Sequence, residues 1–101
     1  MTKPYTVCIG PHRFAVLGSM DVTRRLLREG KYGETDIDSL SISIRDDLPP
    51  SLWDETLIHE IMHAAIAVSG LNSHLEDEER IVATIAPYIS QALSGPHKPQ
   101  R

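Results

Sequence analysis

The sequence predicts a small α+β domain in which a short antiparallel sheet packs against helices, and three observations lead to this fold class. Apolar residues alternate with polar ones in short segments of the first half of the chain. Apolar residues recur at helical spacing in two long segments of the second half. The chain has 101 residues, of which 41% are hydrophobic, and this is enough for one core and one domain.

Two strands and a turn are predicted at the N-terminus. Residues 5–9 and residues 13–17 have the composition of strands, and the Gly10-Pro11 pair between them is typical of a hairpin turn. A third strand is predicted at residues 40–44, where three apolar residues alternate with serines. The preceding residues 31–39 are rich in acidic residues and are interpreted as a polar loop.

Three helices are predicted, and each is identified by the spacing of its apolar residues. The first covers residues 20–29 and ends at Gly30, a residue that favours a helix C-terminus. The second covers residues 51–69 and stops at Gly70; it is apolar on most sides, which indicates a central buried helix. The third covers residues 75–93.

Short sequence signals mark the ends of these segments. Ser51 is followed three residues later by Asp54, an arrangement that resembles a capping box and predicts the start of the second helix. Residues 95–101 contain two prolines and a glycine, so we expect a disordered tail there. The single domain is therefore assigned to residues 1–94.

The second helix contains the motif His59-Glu60-Ile61-Met62-His63. Residues four apart lie on one face of an α-helix, so His59 and His63 can direct their imidazole nitrogens at a single ion. This pairing of two histidines fits Zn²⁺. Glu60 lies at the adjacent edge of the same turn, where it can hold a metal-bound water and act as the general base without being a ligand.

The alternative interpretation is that these polar side chains belong to a structural hydrogen-bond network. Two histidines and a glutamate in the most apolar helix of a small protein would cost several kcal/mol if they were left unpaired. A structural interpretation therefore requires a separate polar network that satisfies them. A bound metal satisfies the histidines directly, and we therefore predict a zinc site on this helix.

A catalytic zinc site usually has three protein ligands, and the third must come from residues downstream of His63. The extended metzincin pattern is absent, because Ser69 stands where that pattern has its third histidine. Five candidates lie near the start of the third helix: His74, Glu76, Asp77, Glu78 and Glu79.

Helix geometry leaves two of these acids open. Glu78 lies on an apolar stripe, and this favours it as the inward-facing acid; the stripe contains Ile81, Val82 and Ile85. Glu79 instead shares a face with small residues that include Ala86, and small side chains allow two helices to approach closely.

The residues around the motif resemble those of a known protein family. Residues 57–65, followed by residues 79–86, are similar to the gluzincin arrangement of H-E-x-x-H followed by a ligand glutamate in the next helix. The chain looks most like the minimal gluzincins found in phage and prophage genomes. It is more distantly similar to the immunity-repressor-cleaving and antirestriction zincins. In these relatives the ligand helix begins approximately E-x-x-small-small, and this register corresponds to Glu79.

The resemblance implies a fold, a metal and a reaction. It implies a zincin-like domain in which His59, His63 and Glu79 hold Zn²⁺ and Glu60 activates a zinc-bound water for cleavage of a peptide bond. The strand before the helix that carries the motif would be an edge strand of the sheet in such a protein. A peptide or protein substrate is therefore expected to pair with the strand from Ser41 to Arg45.

The residue that stabilises the oxyanion of the reaction is left open at this point. Here the sequence departs from the family that it resembles, because it has no obvious oxyanion-stabilising tyrosine or histidine at a recognisable position. Tyr32, His74 and Tyr88 are the three candidates.

The composition excludes several classes of partner. The formal net charge is -4, so nucleic acid is not expected as a partner. No run of about 18 apolar residues is present, so no membrane span is expected. Cys8 is the only cysteine, which suits a reducing compartment. We therefore expect a cytoplasmic protein, located in the host cytoplasm if the gene is carried by a phage.

Together these features predict a zinc-dependent hydrolase, most simply a minimal metallopeptidase. The main alternative is a non-catalytic zinc-binding interaction module with a zincin fold. This alternative stays open because a small domain offers little groove with which to select a substrate, and because a fold does not by itself define a function.

Overall fold

A computed structural model describes residues 6–70 and 75–94 of the chain, with only the backbone described at residues 75, 76 and 94. Within these residues the chain forms four strands and three helices, so the predicted α+β fold class is confirmed. The elements in chain order are β1 (Thr6–Ile9), β2 (His12–Leu17), α1 (Met20–Glu29), β3 (Gly33–Asp36), β4 (Ser41–Ile44), α2 (Pro50–Ser69) and α3 (Leu75–Ser94). The tail predicted at residues 95–101 lies outside the described residues.

The strands form one mixed sheet in the order β1-β2-β4-β3. β1 and β2 form the predicted antiparallel hairpin, and β3 pairs antiparallel with β4. β2 and β4 are parallel, so the prediction of an antiparallel sheet is wrong for this pair. The reason is the additional strand β3. It runs opposite to β2, and the turn after it reverses the chain again, so that β4 runs in the same direction as β2.

β3 lies within residues 31–39, which the sequence predicts to be a polar loop, and that prediction is wrong. None of its side chains is apolar, so it lacks the alternation from which strands are predicted. Besides its pairing with β4, β3 is held by ion pairs. Arg25 of α1 donates to both carboxylate oxygens of Glu34 at 3.2 and 3.0 Å, and Lys31 Nζ lies 3.2 Å from the same carboxylate.

One edge of the sheet is formed by β3 and not by β4. The resemblance implies an edge strand from Ser41 to Arg45, but β4 is hydrogen-bonded to β2 on one side and to β3 on the other. All four residues of β4 are buried. The implied docking strand is therefore wrong, because the backbone groups of β4 are already paired within the sheet and cannot pair with a peptide.

α2 begins one residue earlier than predicted and does so without a capping box. Its N-cap is Pro49, which makes no side-chain hydrogen bond, and Pro50 occupies the first position of the helix. Proline suits this position because its missing N–H would have no helical partner there. The predicted helix ends are confirmed, since α2 stops before Gly70 with φ 79° and α1 stops before Gly30 with φ 70°.

α2 is the central helix, as its apolar sequence predicts, because it packs against β1, β3, β4 and α3. The core between α2 and the sheet includes the large buried side chains of Ile9, Phe14, Ile42, Ile44, Trp53 and Leu57. Packing on both sides fixes α2, and this gives the motif on it a rigid support. In the ranges that the structure describes, no helix has the length and apolarity needed to cross a membrane.

α3 packs on α2 through a face that only partly matches the apolar stripe predicted for the inward side. Val82 and Ala86 are fully buried and Ser90 is nearly so, and these residues are spaced four apart along one side of the helix. Ile81 and Ile85 are 47% and 41% exposed, so the predicted inward position is wrong for these two residues. It is right for Val82 and for Glu78, which lies four residues before Val82 on the same side and is 19% exposed. The buried side is rotated from Ile81 and Ile85 by about one residue position, or roughly 100°.

Candidate metal centre

The two histidines of the motif lie side by side on the face of α2 that looks toward α3. The Nε2 atom of His63 is 3.3 Å from the Nε2 atom of His59, and the ring centroids are 4.9 Å apart. This arrangement follows from their spacing of four residues, which places them one helical turn apart. Both side chains are half-buried, so their ring nitrogens can be reached from a groove in the surface.

α3 brings a carboxylate to the same nitrogens. Glu79 Oε1 lies 2.8 Å from His63 Nε2, and Glu79 Oε2 lies 3.3 Å from His59 Nε2. One ligand atom from each of the three residues falls within 4.8 Å of the others. Two imidazole nitrogens and one carboxylate oxygen are the donor set that Zn²⁺ takes in catalytic sites. The residues present therefore fit a zinc ion with three protein ligands.

Glu78 contacts the opposite edge of the His63 ring. Its Oε2 atom lies 2.6 Å from His63 Nδ1, so Nδ1–H can donate to the carboxylate while Nε2 faces Glu79. Partial burial lowers the pKa of His63, but the hydrogen bonds with Glu78 and Glu79 outweigh it, and the pKa is raised overall. A carboxylate on the second ring nitrogen is the usual way to orient a metal-binding histidine and to set its tautomer.

Glu60 lies on the inner side of the motif, against β3. The residue is only 8% exposed, and this burial raises the pKa of its carboxyl above the ordinary value. The Oγ1 hydroxyl of Thr35 donates a hydrogen bond to Glu60 Oε1 at 2.7 Å, which partly opposes the rise. A glutamate with a raised pKa accepts a proton more readily, and this property suits a general base.

Gly33 allows β3 to approach α2 closely enough for this hydrogen bond. A Cβ atom at position 33 would lie 2.8 Å from Thr56 Cγ2, 3.0 Å from the backbone oxygen of Ser43 and 3.3 Å from Glu60 Cγ. The first two distances are too short for a normal van der Waals contact. The absence of a side chain at this position therefore sets the spacing between the edge strand and the motif helix.

A groove of about 760 Å³ runs between β3 and α2 and reaches both histidines. Residues of β3 and α2 line it, together with Glu78 and Glu79 of α3. Tyr32 also lines it, and this is the one oxyanion candidate that the described residues bring to the groove. Tyr88 is 70% exposed on α3 and does not line it, while His74 lies outside the described residues.

The structure thus brings together His59, His63 and Glu79, with Glu60 beside them and Glu78 behind His63. Of the other ligand candidates, Asp77 is exposed and bonds to Arg80, and the side chain of Glu76 is not among those described. Sequence reasoning missed Thr35 and Gly33. Both belong to the segment interpreted as a loop, and a Gly-x-Thr sequence of this kind carries no signal of its own.

Comparisons of the chain with protein-family profiles, with curated proteins and with solved structures find no match. The chemistry of the centre is therefore inferred from its own residues.

Proposed function

We propose that this protein is a zinc-dependent peptidase of the gluzincin type, with a zincin-like fold. The observation that supports this most strongly is the convergence of His59, His63 and Glu79 from two helices, with a buried glutamate next to the first histidine. A purely structural hydrogen-bond network could satisfy these side chains, but it would not require an open groove beside them. Here the three donor atoms face a groove large enough for a peptide.

The proposed ligands are His59 Nε2, His63 Nε2 and one carboxylate oxygen of Glu79. Glu79 is preferred to Glu78 because it faces the same two nitrogens, whereas Glu78 is hydrogen-bonded to Nδ1 of His63. When bound, zinc supplies Lewis-acid chemistry, polarising a substrate carbonyl and lowering the pKa of a water molecule. Glu78 holds the His63 ring in the orientation that directs Nε2 at the ion.

Glu60 is the proposed general base. Its carboxylate takes a proton from the attacking water and then delivers that proton to the nitrogen of the leaving amine, so that the peptide C–N bond is replaced by a C–O bond. Burial favours the protonated form of Glu60 that is needed in the second half of this cycle. The Thr35 hydroxyl keeps one carboxylate oxygen in place while the other is free to exchange the proton.

The proposed substrate is an extended peptide that pairs with the outer edge of β3. β3 ends the sheet, and its residues Gly33, Glu34 and Thr35 line the groove that reaches the histidines. Pairing with the backbone of an edge strand binds a peptide without regard to most of its side chains. This replaces the docking strand that the resemblance implies, because β4 is enclosed within the sheet.

The decisive experiment compares zinc content and peptide hydrolysis in three proteins. Wild type loaded with zinc should cleave an unstructured protein such as casein, and a chelator should stop cleavage. Glu60→Gln should keep one zinc per chain and lose hydrolysis by a factor of at least about a thousand. Asp21→Asn, which removes the charge of an aspartate whose side chain is 96% exposed at the start of α1, is the matched control and should behave as wild type.

Two outcomes would contradict the proposal. If Glu60→Gln cleaves as fast as wild type, Glu60 is not the base. If wild type binds zinc but cleaves no peptide, and if its cobalt form has the absorption spectrum of a site closed by four protein ligands, the protein is a zinc-binding interaction module instead.

A further inference from the structure

Glu55 lies in the groove one helical turn before His59. Residues four apart share a face of the helix, so Glu55 lies on the same groove-facing side of α2 as the two histidines. The residue is half-buried. No described residue forms a hydrogen bond or an ion pair with its carboxylate. It is therefore a charge that is partly removed from water and has no counter-charge among the described residues.

The other acids of the groove differ in this respect. Glu34 is paired with Arg25 and Lys31, and the pKa of its carboxyl is lowered accordingly. Glu60 accepts a hydrogen bond from Thr35. Glu78 and Glu79 contact the ring nitrogens of the motif. Glu55 is the one acid lining the described groove that is left to interact with something that enters it.

The cation that lines the described part of the groove is not free to neutralise Glu55. Lys31 Nζ lies 3.2 Å from the carboxylate of Glu34 and 3.5 Å from that of Glu29. The groove therefore keeps a negative potential around Glu55, and a cationic ligand group is favoured there.

The surroundings of Glu55 suit a long cationic side chain. Leu52 lies one turn earlier on α2, and both it and Tyr32 line the groove. The Tyr32 ring also contacts the guanidinium of Arg45, 5.4 Å from its centroid, and this arginine is itself paired with Asp47. An aliphatic stem can pack on Leu52 and Tyr32 while its charged end reaches the carboxylate of Glu55. Lysine and arginine have this combination of an apolar stem and a terminal cation, whereas smaller polar side chains do not.

We propose that Glu55 selects peptides with a lysine or arginine close to the cleaved bond. One helical turn is about 5.4 Å, and an extended peptide advances about 3.4 Å per residue, so Glu55 reaches a side chain one or two residues from the bond at the metal centre. This inference rests on the proposed function for the way in which the peptide lies along β3. It adds the substrate class, which the metal centre by itself does not define.

A hydrogen-bonded ion pair in a partly buried groove is expected to change affinity by about tenfold to a hundredfold. The experiment measures binding, so that it does not depend on turnover. Zinc-loaded Glu60→Gln protein is titrated with fluorescent peptides in which one lysine is moved through each position of a neutral sequence. Matching peptides carry glutamine or glutamate at the best position. Lysine should bind at least about tenfold more tightly than glutamine, and glutamate more weakly still.

Variants at position 55 then show whether this carboxylate is responsible. Adding Glu55→Gln should abolish the difference between the lysine and glutamine peptides, and Glu55→Lys should reverse the preference toward glutamate. Asp54→Asn is the matched control. It removes the same charge from the same turn of α2, but Asp54 does not line the groove, and the lysine preference should persist. Equal zinc content and equal thermal unfolding would exclude misfolding as the cause.

The outcomes for this inference and for the proposed function can be separated. A lysine preference that persists in Glu55→Gln, equal binding of all three peptides or no binding at all would overturn the role of Glu55. Wild-type protein is assayed for cleavage of the same peptides. A preference for lysine without cleavage would support the role of Glu55 and contradict the proposed peptidase activity. Cleavage without a preference for lysine would support the peptidase activity and contradict the role of Glu55.

Discussion

The hydroxyl of Thr35 donates a hydrogen bond of 2.7 Å to Glu60 Oε1, and it thereby joins the edge strand β3 to the motif helix α2. The Oγ1 atom of Thr35 also lies 3.1 Å from the backbone carbonyl oxygen of Glu60. A single hydroxyl proton therefore lies within reach of both the side chain and the backbone of one residue. The proposed peptide pairs with the outer edge of β3. The same strand would therefore bind the substrate backbone and, through Thr35, hold the general base Glu60.

Replacement of Thr35 by valine should slow hydrolysis without loss of zinc. Valine keeps the shape of threonine but cannot donate to Glu60, so the carboxylate is no longer held in one position. We expect kcat to fall by about tenfold to a hundredfold, as is typical when a catalytic group is misplaced by about 1 Å. KM and zinc content should change little. Thr35→Ser restores the hydroxyl and should restore most of the rate; failure of this rescue would contradict the positioning role.

Replacement of Glu78 and of Glu79 should weaken zinc binding to different extents. Glu78→Gln removes the carboxylate from Nδ1 of His63, and loss of such an orienting partner typically costs about tenfold to a hundredfold in metal affinity. Glu79→Ala removes a proposed ligand and should cost more. The control is Asp77→Asn, because Asp77 is exposed and contacts Arg80. Zinc titration against a competing chelator measures the zinc affinity of all three variants. A loss of affinity in Glu78→Gln that equals or exceeds the loss in Glu79→Ala would reverse the ligand assignment.

Gly33→Ala should destabilise the protein and impair the site together. The new Cβ would press on Thr56 and on the backbone of Ser43, and overpacking of this kind costs about 1–3 kcal/mol in the free energy of unfolding. β3 should then move away from α2, taking Thr35 from Glu60. Urea unfolding and the hydrolysis rate are the two measurements.

Gly30→Ala provides the comparison for Gly33. It strains a residue with φ 70° and costs about 1–2 kcal/mol, but a Cβ there meets nothing within 4 Å. Hydrolysis by folded Gly30→Ala protein should therefore equal that of wild type. If Gly33→Ala is equally active when folded, the close approach of β3 is not needed for the reaction.

The ion pairs of Glu34 should make stability depend on pH in the acidic range. The hydrogen bond from Arg25 and the contact with Lys31 outweigh partial burial and lower the pKa of Glu34 in the folded protein. A lowered pKa means that this contribution is fully present above the unfolded value, about 4.3, and is lost as pH falls through the folded value. The variant Glu34→Gln should therefore be less stable than wild type at pH 7.

The difference in unfolding free energy between wild type and Glu34→Gln should shrink as pH is lowered below about 4.3. Urea unfolding of both proteins at a series of pH values, with a chelator present so that metal binding does not contribute, measures this difference. A difference that stays constant down to pH 2 would show that the carboxylate's charge is not what stabilises β3 against α1.

Those parts of the fold that depend on neighbours in sequence could be predicted without the structure. α1 has its predicted bounds, and Gly30 ends it in the left-handed conformation. The helical spacing of His59 and His63 places their Nε2 atoms 3.3 Å apart. In both cases the geometry is set within one or two turns of a helix, so that the order of residues alone defines it.

The remaining features depend on how distant elements pack. β3 has no apolar pattern, and it is a strand because β4 pairs with it and Arg25 holds Glu34. The inward face of α3 is set by its contact with α2, and this brings Glu79 to both histidines while Glu78 contacts Nδ1 of His63. The sequence by itself determined the helix that carries two histidines and a glutamate. The tertiary structure decided which acid joins them and which strand borders them, because adjacent positions on α3 differ by about 100° and only packing selects among them.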